Sequence, residues 1–76
     1  MKITNVWFDD KRIFVEMDDH RVLGNPVAWY PNLNKGNKQQ WQKFIIKGNG
    51  RWIHWPELDE DLDIGSFLDY TRNESA

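Results

Sequence analysis

Five carboxylates stand within seven positions, at Glu57, Asp59, Glu60, Asp61 and Asp63, with His54 just upstream of them. Carboxylates so close together can ligate a hard cation through oxygen, or share one proton because their like charges raise a pKa. The spacing serves neither use well. Leu58 and Leu62 interrupt the run and no glycine appears before Gly65, whereas a calcium loop needs alternating oxygen ligands around a central glycine. Acids ahead of a helix have a plainer use, since they complement its positive end and accept from its free N–H groups. His54, between Ile53 and Trp55, reads as a packed histidine, stacked on an aromatic ring and bonded to Asp59 or Asp61, locking a strand-to-helix corner. These patterns assign no catalytic residue, no cofactor and no metal ligand.

Other chemistries lack parts. His20 is the second of two imidazoles, there is no cysteine, and Ser66 and Ser75 have no nucleophile-elbow or oxyanion glycine context. Gly48-Asn49-Gly50-Arg51 lacks the Lys-Ser/Thr ending of a phosphate loop and reads as a turn in which Gly and Asn take positive φ. Lys35, Lys38, Lys43, Lys47 and Arg51 are interleaved with Trp41 and Trp52, a composition that single-stranded nucleic-acid binders use for stacking and phosphate contact. A net charge of -2 and a pI near 5.5 oppose that use for the chain as a whole, leaving a solvated basic face or one that meets an acidic protein.

The elements that must position these residues fit in 76 residues, one domain at most, which excludes a two-domain enzyme with a deep cleft. Without cysteine there is neither disulfide nor thiolate zinc site, so a reducing cytoplasm is expected. No apolar run approaches the ~20 residues of a membrane span. Five Trp, four Phe and two Tyr make the chain 14% aromatic, although its mean hydropathy is -0.79. A few large rings must supply most of the core, and rings surplus to it would be interface anchors.

Ile3 to Phe8, Arg12 to Met17 and Arg21 to Gly24 read as three strands of an antiparallel meander, broken at Asp9-Asp10-Lys11 and Asp18-Asp19-His20. Asn25 before Pro26 matches a helix cap with proline in the first turn, and Val27, Tyr30 and Leu33 share a helical face. Pro31 splits that face into two short turns. Asn37 can cap a helix over Lys38 to Ile46, with Trp41, Phe44 and Ile45 inward; the rival is that Ile45-Ile46 begins a strand paired with Arg51 to Trp55. The helix is the expectation for 44–47. Arg51 to Trp55 makes a fourth strand, and Asp63 caps a last helix with Ile64, Phe67 and Leu68 inward. The sum is an α+β fold: one antiparallel sheet of three to four strands with two short helices packed on it, spanning 1–72, and a frayed tail at 73–76.

The stretch Ile53-His54-Trp55-Pro56-Glu57-Leu58-Asp59-Glu60-Asp61-Leu62 resembles the bacterial domain-of-unknown-function family 2442. The likeness extends to the start Met1-Lys2-Ile3-Thr4, to Pro26-x-x-Trp29-Tyr30-Pro31-x-Leu33 and to Trp41, and so covers nearly the whole chain. It departs at Asp19-His20, where Asp-Gly is usual, at Leu62-Asp63, where Ile-Ser is typical, and in its short Gly48-Asn49-Gly50 loop. The resemblance implies a small cytoplasmic α+β domain, often encoded beside another small protein as in toxin–antitoxin loci, with no enzymatic activity attached. Some members are fused to a helix-turn-helix region; the likeness does not extend DNA binding to this chain alone. The expected function is therefore a protein-interaction module, antitoxin-like or accessory. Its partner would be another small protein, or a second copy through exposed strand edges. Trp29, Tyr30 and Trp41 would form the contact, and His54, Trp55, Asp59, Glu60 and Asp61 the second motif. The alternatives are a nucleic-acid-associated regulator using the Lys/Arg and Trp face, or a metal-binding protein.

Overall fold

Strand residues alternate between two faces. In the computed structural model, which describes residues 2–68, that alternation buries Ile13, Val15 and Met17 almost completely and leaves Arg12, Phe14 and Glu16 facing outward. Strands β1 (Ile3–Phe8), β2 (Arg12–Met17) and β3 (Val22–Pro26) pair as the expected antiparallel meander, in the order β1-β2-β3. The β1–β2 turn is held by the Asp9 carboxylate, which accepts from the backbone N–H groups of Lys11 and Arg12 at 2.9 and 2.8 Å. Those two bonds favour the ionised form and hold the Asp9 carboxyl below its ordinary value. Strand β3 runs two residues past the expected Gly24, which takes Asn25 into the ladder instead of making it a helix cap.

The next segment behaves as Pro31 dictates. A 3-10 turn over Val27–Trp29 stops at Tyr30, and α1 (Pro31–Lys35) restarts with proline at its beginning, where a missing N–H costs nothing. Val27, Tyr30 and Leu33 are all buried. Asn37 then caps α2 (Lys38–Trp41) through a reciprocal box: its side chain accepts from Gln40 N at 2.8 Å, and Gln40 Oε1 accepts from Asn37 N at 3.0 Å.

The helix expected to continue to Ile46 ends at Trp41. Ile45–Lys47 instead form β4, which pairs with β5 (Trp52–Trp55) across a turn where Gly48, Asn49 and Gly50 all have positive φ, of 62°, 58° and 86°. A cross-strand partner at Ile53 buries Ile46 partly, and β-branched residues fit a pleated surface better than a helix. The acidic run holds a sixth strand, β6 (Glu60–Asp63), paired with β5. The fold is α+β as expected, with its strands in two three-stranded sheets, β1-β2-β3 and β4-β5-β6, where one sheet of three to four was expected. Asp63 caps the helical residues 64–68, accepting from Ser66 N at 2.6 Å, and Phe67 is buried as expected. The expected boundary at 72 and frayed tail at 73–76 lie outside the described residues, as does Ser75.

One continuous core joins the inner faces of both sheets to the helical linkers, from Ile3, Val6 and Val15 through Leu33 and Trp41 to Ile53, Trp55 and Leu62. The Gly48–Gly50 turn is part of this joint: Gly50 O accepts from Ile3 N at 2.7 Å, and a Cβ on Gly50 would stand 2.8 Å from Lys2 Cβ. Gly50 is thereby buried against β1, and the positive φ angles of the turn are those expected of Gly and Asn. No helix among the described residues is long and apolar enough to cross a membrane.

Candidate functional site

The aromatic residues expected to be spare are mostly core. Trp55 is fully enclosed and its Nε1 donates to Trp41 O at 3.0 Å, while Trp41 Nε1 donates to Leu33 O at 2.8 Å. Phe8 stacks on Trp41 at 5.0 Å and meets Trp55 edge-on at 6.4 Å. The Tyr30 hydroxyl accepts from Asn25 Nδ2 at 2.9 Å, and Trp29 is half-buried against the same cluster. Of the expected contact residues, Tyr30 and Trp41 are therefore core, and Trp29 keeps part of its surface exposed. A chain this short encloses little volume, so it draws most of its large rings inward, and a bonded N–H or O–H removes the cost of burying the polar tip.

Asn25 is the buried group that sequence reasoning missed. It is 2% exposed, donates to Tyr30 Oη and to Phe67 O at 3.1 Å, and so ties β3 to the 3-10 segment and to the helical residues 64–68. The sequence signal was Asn at an inward position of a strand pattern, which the following proline disguised.

The acidic motif disperses over one hairpin. His54 and Asp61 are directly opposed on β5 and β6, and His54 Nδ1 bonds Asp61 Oδ1; His54 also meets Trp52 edge-on at 6.1 Å. The expected stacked and bonded histidine is present, across a strand pair rather than at a strand-to-helix corner. Asp59 does not reach His54. It occupies the turn at φ 51°, and its carbonyl accepts from Asn32 Nδ2 at 3.1 Å. Glu60 sits opposite Trp55, half-buried; loss of water raises its carboxyl above the ordinary value, and the charges of Asp61 and Asp59 add to this, against the bond from Asp61 N. Glu57 pairs with Lys43 at 3.0 Å, which lowers its carboxyl. Among the described residues, no group of three or more His, Asp or Glu is placed to hold a metal ion.

Three residues of the basic cluster are likewise engaged inside the chain. Lys38 pairs with Asp10 at 2.6 Å, Lys43 with Glu57, and Lys47 Nζ lies 5.4 Å from the centre of the Trp52 ring. A Cβ on Gly48 would stand 2.9 Å from Trp52, so that indole is packed by its own turn. A base seeking to stack there must displace these contacts.

Among the described residues, apolar surface stays open at two places: at Ile45 on β4, 47% exposed opposite His54, and more extensively on the outer face of β1-β2-β3. Trp7 keeps 36% of its surface and stacks on Phe14 at 5.7 Å and 15°, with Val22 49% exposed on the next strand. Phe14 lies over Gly24: a Cβ there would stand 2.8 Å from two of its ring carbons. The result is a low aromatic tile crossing three strands, flanked on β2 by Arg12 and Glu16. Neither Trp7 nor Phe14 was singled out from the sequence. The signal was available, since Phe14 falls on the polar side of the β2 alternation.

The family model described as "Protein of unknown function (DUF2442)" matches residues 3–73. The chain belongs to the DUF2442 family. No curated protein matches it. A crystal structure of a protein of unknown function from Rhodospirillum rubrum has the same fold, with a TM-score of 0.80 at 21% identity, over 91% of this chain and 86% of that one. In this DUF2442 chain the apolar residues that carry the family likeness include much of the core, since Ile3, Tyr30, Leu33, Trp41, Ile53, Trp55 and Leu62 are all buried, whereas Pro56, Glu57, Asp59 and Asp61 of the same motifs are exposed. The buried ones specify the joint between the two sheets, and the open aromatic tile lies outside them.

Proposed function

We propose that the chain is a non-catalytic protein-interaction module of the cytoplasm, antitoxin-like or accessory, that binds another small protein encoded beside it. The observation that supports this reading is the Trp7–Phe14 tile on the outer face of β1-β2-β3. An exposed Trp stacked on a second ring offers a large rigid contact at little entropic cost, the kind of group that anchors interface centres. Arg12 and Glu16 on either side of Phe14 would fix a partner's orientation. On the second hairpin, by contrast, His54 and Asp61 are bonded to each other within the chain.

The test is co-expression with the product of the adjacent reading frame in the source genome, followed by size-exclusion chromatography with light scattering. A stoichiometric complex is expected, weakened at least about tenfold by Trp7→Ser and unchanged by His54→Ala. No complex, or one indifferent to Trp7, overturns the reading; so does nuclease-sensitive capture of nucleic acid in place of protein.

A further inference from the structure

We propose that the occupant of the β1-β2-β3 outer face in the free chain is a second copy of the same chain, related by a twofold axis that runs across the strands at Phe14. The inference rests on the reading that this face is a docking surface, and it names what docks. The outward residues of β2 are Arg12, Phe14 and Glu16, in that order, with a cation and an anion at equal steps of about 7 Å on either side of the ring. Two twofold axes lie in the plane of such a face. The axis along the strands sets Arg12 against Arg12 and Glu16 against Glu16, so like charges meet. The axis across the strands sets each Arg12 against the other copy's Glu16, Phe14 against Phe14 and Trp7 against Trp7. It also places Pro26, level with Arg12, against the other copy's Val22, level with Glu16. Only this axis makes the face complementary to itself in both charge and polarity, which an interface between identical copies requires.

Neither charge is locked in a close ion pair. The Arg12 guanidinium makes no salt bridge among the described residues, although its charge adds to the backbone bonds from Lys11 and Arg12 that lower the nearby Asp9 carboxyl. Glu16 meets only His20, at 3.5 Å, whose side chain is 90% exposed and can swing away. The shape agrees as well: Phe14 lying over Gly24, with Trp7 nearly parallel to it, gives a flat surface suited to sheet-on-sheet packing. The size sets the strength. Three strands about 4.8 Å apart and five residues at about 3.4 Å each make a face of roughly 15 by 17 Å. A standard stable interface covers about 800 Å² per partner, so this dimer is weak and exchanges quickly. A second copy and a protein partner would compete for the same tile.

Sedimentation equilibrium of the full chain from about 10 µM to 1 mM spans the expected dissociation constant. Arg12→Glu and Glu16→Arg should each weaken association at least about tenfold, and the exchanged pair R12E/E16R should restore it to within about threefold of the natural chain. Circular dichroism melting of each variant checks folding, which substitutions at exposed Arg12 and half-buried, outward-facing Glu16 should leave intact. A chain that stays monomeric up to 1 mM overturns the proposal, as does a dimer indifferent to Arg12→Glu, or an exchanged pair no better than the single variants. A monomeric chain whose complex with the neighbour-encoded protein is still lost in Trp7→Ser overturns the second-copy assignment alone. A charge-exchange-rescued dimer with no such complex supports it and removes the reading beneath it.

Discussion

The outer faces of the two sheets are built from similar parts and end in opposite states. On β4-β5-β6, Lys47 covers Trp52 and His54 bonds Asp61 on the neighbouring strand, so these polar side chains are engaged within the ladder and Ile45 is the large apolar residue left exposed beside them. On β1-β2-β3 the charged residues Arg12 and Glu16 lie on one strand with an aromatic ring between them, too far apart to pair with each other. The lesson is positional. Polar groups placed side by side on neighbouring strands close on each other, whereas opposite charges in line along one strand leave the face open to a complement from outside. Composition alone would have ranked the faces the other way, because the acids, the histidine and the lysines are concentrated near the second.

Both faces depend on the core between them, and removing it gives the largest effect. Trp55→Ala should cost about 3–5 kcal/mol, most of the stability of a chain this size, and abolish a cooperative melt. A melt within a few degrees of the natural chain would show that the two sheets do not share that core. Asn25→Ala leaves the buried Tyr30 hydroxyl and Phe67 carbonyl without its two bonds and should cost about 2–3 kcal/mol. Chemical denaturation measures this, and a cost below about 0.5 kcal/mol would mean that the network does not hold the last helical residues in place.

The comparison itself is sharpened by paired variants. A double-mutant cycle on His54 and Asp61 should give a coupling of about 1 kcal/mol or less, because Asp61 is largely exposed, and the coupling should shrink as salt is added. Trp7→Ser should cost a similar amount, as one cross-strand aromatic pair, yet alter association where the His54 and Asp61 variants do not. Equal effects on association would erase the distinction between the faces. Smallest is Glu60→Gln, whose sign follows from burial. Folding raises the Glu60 carboxyl above its ordinary value of 4.5, so the unfolded chain ionises first as pH rises. Stability is therefore lost through that window and stays lost above the folded value. Glu60→Gln should accordingly melt slightly higher than the natural chain at neutral pH and no higher at pH ~3, where both states hold the proton. A lower melting temperature at neutral pH would show that the Glu60 charge is stabilised by a contact stronger than its desolvation.

Much of the fold was legible in local pattern. The alternation in β2, the Asp9 turn, the break at Pro31, the Asn37 cap, the positive-φ turn at Gly48–Gly50 and the Asp63 cap are each set by a few adjacent residues, and each is found where the sequence put it. The candidate site was less legible. His54 and Asp61 do meet, but Tyr30 and Trp41 turned inward, and Trp7 and Phe14 form the open surface.

The sequence by itself determined the strands of the first sheet, the turns, the caps and a core dominated by large rings. It did so because steric and hydrogen-bonding preferences act within a few residues. Tertiary structure decided the rest. Ile45–Lys47 became a strand because Trp52–Trp55 lay ready to pair with it. The acidic Glu60–Asp63 became a strand with only Leu62 fully buried, because the other edge of β5 was free. Asn25 became a buried tie between distant segments, and the rings were divided between core and surface by the volume the two sheets could enclose. Those choices weigh partners far apart in the chain, and no short window of sequence contains both sides of the comparison.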